Sequence, residues 1–90
     1  MTLAMKYRKK PVVIEAIKWD GDSGTANAFL GERFGIDWEY APGERAVIIP
    51  TKEGRMRGEV GDWIIKGIKG EFYPCKPDIF AATYEPAEEL

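Results

Sequence analysis

The sequence predicts a single small α+β domain over residues 1–90: a twisted, mainly antiparallel sheet covered by one main helix and a short C-terminal helix. Three observations carry that expectation. Short runs rich in β-branched and aromatic residues are separated by Gly, Pro and Asp turns. One segment only, after Ser23, repeats apolar residues at helical spacing. A chain of 90 residues with a hydrophobic fraction of 44% fills one core and no more.

Taken in order, residues 1–5 are expected to fray. Val12-Val13-Ile14-Glu15-Ala16-Ile17-Lys18-Trp19 is expected to form a central strand, with Pro11 at its first position, where a missing N–H costs least. Asp20-Gly21-Asp22-Ser23 makes a turn and offers N-cap oxygens to a helix. Ala26, Phe29, Leu30, Arg33 and Phe34 form that helix's stripe, Gly31 weakens it, and Gly35 stops it. Ile36 to Arg45 is the least regular stretch.

Ala46 to Ile49 and Arg55 to Val60 are strands joined by a hairpin at Thr51-Lys52-Glu53-Gly54. On the second, Met56, Gly58 and Val60 share one face and Arg55, Arg57 and Glu59 the other. Gly61-Asp62 turns the chain into a strand from Trp63 to Ile68, and Lys69-Gly70 turns it into another at Glu71 to Tyr73. Pro77 and Asp78 start a short helix through Ala82. Thr83-Tyr84-Glu85 is expected to close the sheet, and residues 86–90 to fray.

Composition excludes more than it assigns. Three Trp, four Tyr and four Phe are enough to fill a small core, since each ring buries roughly 150–250 Å². A net charge of -2 argues against binding a nucleic-acid polymer, which favours a strongly basic face. Basic residues open the chain (Lys6, Arg8, Lys9, Lys10) and acidic ones close it (Glu85, Glu88, Glu89); solvated termini are preferred to a binding arm. No apolar run approaches the roughly 20 residues of a membrane helix, and a single cysteine makes no internal disulfide, so a reducing cytoplasm is expected.

There is no histidine, which removes the Ser-His and Cys-His nucleophile pairs and the usual Cys/His zinc site. Neither GxxxxGK[ST] nor GxGxxG occurs. No enzyme activity, cofactor or metal is therefore expected. Cys75 has two features that lower a thiol pKa, a following helix start and the adjacent Lys76, yet a small buried structural thiol is preferred because nothing supplies a base. Asp62 and Asp78 sit at ordinary structural places for aspartate, a turn and a first helical turn.

The basic residues give the best candidate for a site. Lys66, Lys69 and Lys76 lie near one hairpin and one helix start, and Arg55 and Arg57 on a neighbouring strand would add guanidinium groups. Tyr73 and Trp63 would offer stacking surfaces. Trp38 and Tyr40, in the irregular stretch, are expected to be exposed and used for contact, whereas Trp19 and Trp63 are expected in the core.

Two blocks of the chain resemble a family of small uncharacterised bacteriophage and prophage proteins. One is Met5-Lys6-Tyr7-Arg8-Lys9-Lys10-Pro11-Val12-Val13-Ile14-Glu15-Ala16. The other is Gly61-Asp62-Trp63 through Pro74-Cys75-Lys76-Pro77-Asp78-Ile79-Phe80, with Thr83-Tyr84-Glu85. The resemblance implies a phage accessory protein in the host cytosol, acting by binding. The leading expectation is a small anionic, nucleotide-like host defence signal as ligand, held by Lys66, Lys69, Lys76, Arg55 and Arg57 with Tyr73 and Trp38 as walls. The alternative is a module that inhibits or recruits a host protein through Ile36, Trp38 and Tyr40. Homo-oligomers are expected under either, because a free sheet edge pairs readily with its own copy.

Overall fold

A computed structural model describes residues 4–8, 10–31, 37–41 and 44–87. It shows a small α+β fold with antiparallel strands and two helices. The strands part into two sheets of three, where the sequence suggested one. The first contains β1 (Glu15–Lys18), β5 (Trp63–Lys66) and β6 (Phe72–Cys75), in the order β1-β5-β6. The second contains β2 (Asp37–Ala41), β3 (Glu44–Thr51) and β4 (Gly54–Glu59), in the order β2-β3-β4.

Two hairpins fall where turn residues asked for them. Thr51 pairs with Gly54 across the β3–β4 loop, and the Thr51 hydroxyl donates to the Gly54 carbonyl at 2.7 Å. The β5–β6 loop closes on Gly70, whose φ of 81° suits glycine. Between β4 and β5 the chain does something else. Gly61 (φ 96°) and Asp62 turn it out of one sheet and into the other, and no ladder joins the two strands.

The core lies between the sheets. Val47 and Ile49 of β3 meet Ile64 of β5 and Phe72 of β6, with Trp19 just past β1 and Ala26 and Leu30 of the first helix. That helix, α1 (Ser23–Leu30), begins at Asp22, whose carboxylate accepts the Gly24 N–H, as the turn residues predict. It ends at Gly31 (φ 71°), earlier than its stripe suggested. Arg33, Phe34 and Gly35 lie outside the described residues.

α2 (Pro77–Thr83) starts on Pro77 as expected. Side chains alternate across a strand, so Trp63 and Tyr73 face away from Ile64 and Phe72. Phe80 of α2 stacks on Trp63 with centroids 4.0 Å apart, which lays α2 over this second face. Ile65, on the same face, is fully buried. β5 is therefore the central, doubly covered strand, and the expectation of a central strand at residues 12–19 is corrected: β1 is an edge. Residues 84–87 form no strand, because Tyr84 ends α2 and packs against Phe80 at 5.1 Å. Among the described residues no helix is long and apolar enough to cross a membrane.

Candidate functional site

The five expected cations occupy three places, not one. Lys66 and Lys69 flank the β5–β6 hairpin. There Gly67 N–H donates to the Glu71 carbonyl at 2.7 Å, and Lys69 N–H to the Glu71 carboxylate at 3.0 Å. The carboxylate also fills the space a Cβ on Gly67 would take. The hairpin thus holds an anion already, and it is the chain's own. Lys66 Nζ lies 3.9 Å from the Glu15 carboxylate.

The second place is built around Asp62, which is 4% exposed. Its carboxylate accepts the Glu59 N–H at 2.8 Å and so clamps the turn between the sheets. It also accepts from Lys76 Nζ at 3.0 Å. Lys76 lies 3.9 Å from Glu59 Oε1, which Arg57 approaches to 2.9 Å. Two cations and two carboxylates form this cluster, so it carries no formal excess charge. The hydrogen bond to Asp62 holds the Lys76 amine above its ordinary pKa. Lys76 stands one strand length from the hairpin: Lys66 pairs with Phe72, four residues before Lys76, or about 13 Å along the chain.

The third place belongs to Arg55, which pairs with Asp37 across β3. Four of the five cations therefore have a carboxylate partner, and the expected convergence on one concave spot is corrected. The walls differ as well. Trp38 is not an exposed contact residue: β2 gives its segment regular pairing, and its half-buried ring tilts against Trp19 at 6.0 Å, beside the core. The Tyr73 hydroxyl faces that of Tyr84 at 3.5 Å, and burial, then this neighbour, push its pKa up. Trp63, expected in the core, is half-buried with its face taken by Phe80. Ile36 and the side chain of Tyr40 lie outside the described residues.

Cys75 is half-buried at the end of β6. Burial, then the negative charges of Asp62 and Asp78, push its thiol up. Lys76 does not help the thiolate because its ammonium is turned to Asp62. The chemistry here is that of a packing thiol.

What the sequence reading undervalued is the segment before β1. Every described residue from Ala4 to Val13 is exposed, and none is in a helix or strand. Among them are four large apolar side chains: Met5, Tyr7 (88% exposed), Val12 and Val13 (76%). The signal was present. Met5 and Tyr7 alternate with Lys6 and Arg8, and Val12-Val13-Ile14 is β-branched throughout, features that favour a strand.

Comparison of the chain with protein-family models, with curated proteins and with solved structures found no match.

Proposed function

We propose that this chain is a non-enzymatic accessory binding domain, of the phage kind its two end blocks resemble, which works by contact with protein. The contact surface is residues 4–14 together with the outer edge of β1. One observation carries the reading: four large apolar side chains are held in water on a segment with strand-forming sequence and, among the described residues, no neighbouring strand. Hiding that surface requires another chain, and added strands bind by main-chain hydrogen bonds with side-chain anchors on one face. The test is photo-crosslinking in bacterial cells from a benzoylphenylalanine placed at Tyr7. Adducts with a protein are expected, and an arm that gives no intermolecular adduct contradicts the reading.

A second reading, a small anionic ligand, is favoured by the β5–β6 hairpin alone. Its Lys69 N–H binds a carboxylate oxygen, with Lys66 and Lys69 nearby, and a free phosphate would have to displace Glu71. A nucleotide bound there at 100 times its dissociation constant stabilises the fold by about 2.7 kcal/mol in thermal unfolding. No shift across nucleotides and cyclic nucleotides removes this reading.

A further inference from the structure

We infer that the partner of the arm is a second copy of this chain, with residues 12–18 pairing antiparallel to the same residues across a two-fold axis. The inference rests on the reading of residues 4–14 as a contact surface. It joins two three-stranded sheets through their β1 edges.

The first argument is a mismatch between sequence and ladder. Val12, Val13 and Ile14 continue the β-branched run of β1, yet the strand starts only at Glu15. Glu15 pairs with Lys66, after which the neighbouring chain turns away at Gly67. Residues 12–14 stop being a strand where β5 stops, although their own propensity does not. On its other side β1 is the edge of its sheet, so one further strand would pair with 12–18 throughout.

The second argument is charge. The first 14 residues hold four of the chain's 13 basic residues and none of its 15 acidic ones. Residues 15–90 therefore carry nine against fifteen, a net -6, facing an arm of +4. Antiparallel pairing runs the arm of one copy past Lys18 of the other, toward its exposed Asp20 and Asp22. Lys10 and Arg8 then run toward Asp20 and Asp22 instead of toward one another. The two-fold axis then falls at Glu15, whose carboxylate lies 3.9 Å from Lys66 Nζ within its own copy. Such a contact is isologous and closes at two copies.

The third is dimension. The radius of gyration is 15.5 Å, against about 12 Å for a compact chain of this length, and the longest extent is 54 Å. A lone copy has not folded its arm onto itself.

Sedimentation of the full chain tests this across a wide concentration range. A dimer of the 10.1 kDa chain is expected. Ile14→Pro, just outside β1, removes an N–H that by alternation from Trp19 faces the free edge, and it is expected to give a monomer with unchanged near-ultraviolet dichroism. Should that variant unfold, amine cross-linking of mixed heavy and light wild-type chains answers instead: Lys10 of one isotope should join Lys18 of the other. A wild type that is monomeric throughout, an Ile14→Pro dimer, or cross-links confined to single chains overturns the inference. Where the wild type is monomeric but Tyr7 still labels some other protein, the contact reading stands and only the second copy is wrong.

Discussion

At the scale of single residues, Asp62 does the most for this fold. It fixes the turn that moves the chain between sheets and anchors the residue from which α2 starts. Truncation leaves the Glu59 N–H without its partner in a part-buried place. Asp62→Ala is expected to cost about 1–3 kcal/mol in urea unfolding, and a loss within error would show that the turn holds itself. Lys76→Met should cost far less, because the ammonium is half in water. Its pH dependence has a fixed sign. The amine is raised above its ordinary 10.5, so its contribution is fully present below that value and is lost only as pH climbs through the raised one. The stability gap between wild type and Lys76→Met should stay flat through neutral pH and close in alkali.

At the scale of elements, the two sheets meet at a glycine. A Cβ on Gly58 of β4 would stand 3.1 Å from Val47 Cγ1 and 3.3 Å from the Cβ of Pro74 on β6. Gly58→Ala is expected to destabilise by about 1–3 kcal/mol through overpacking, measured by chemical unfolding, and a neutral result would mean that the sheets sit further apart than drawn. The sequence made much of this layout legible. Asp22, Pro77, Gly54 and Gly70 act locally, through a cap, a fixed φ or a tight turn, and each stands where it was expected. β2 escaped notice because Asp-Trp-Glu-Tyr-Ala borders Pro42 and Gly43, and its pairing with β3 is a tertiary fact. Thr83-Tyr84-Glu85 looked like a strand until the Tyr84 ring was drawn to Phe80. The division into two sheets was hidden for a similar reason: Gly61-Asp62 announces a turn, but only Lys76, fourteen residues on, shows what the turn serves. The candidate site was least legible. Lys66, Lys76, Arg55 and Arg57 look like available charge in a list of residues, and their carboxylates come from distant parts of the chain or, for Arg57, from two residues on in the same strand.

At the scale of the whole molecule, charge and shape divide in the same way. A basic, partly apolar arm stands apart from an acidic body whose core is closed by two sheets and two helices. Among the described residues of the body no comparable apolar surface lies on consecutive residues: its exposed large side chains, Met56, Val60, Ile68 and Ile79, are scattered singly. The arm is therefore where we propose that this protein meets another, with the short β1 as a ladder that a further strand would extend. Hydrogen exchange measures this directly at the amides of Val12 and Ile14, which face the free edge, in the full chain. Protection comparable to Ile17 of β1, lost at Val12 on Ile14→Pro, is the predicted result. Exchange at the rate of an unstructured peptide, alone and in cell extract alike, would contradict it.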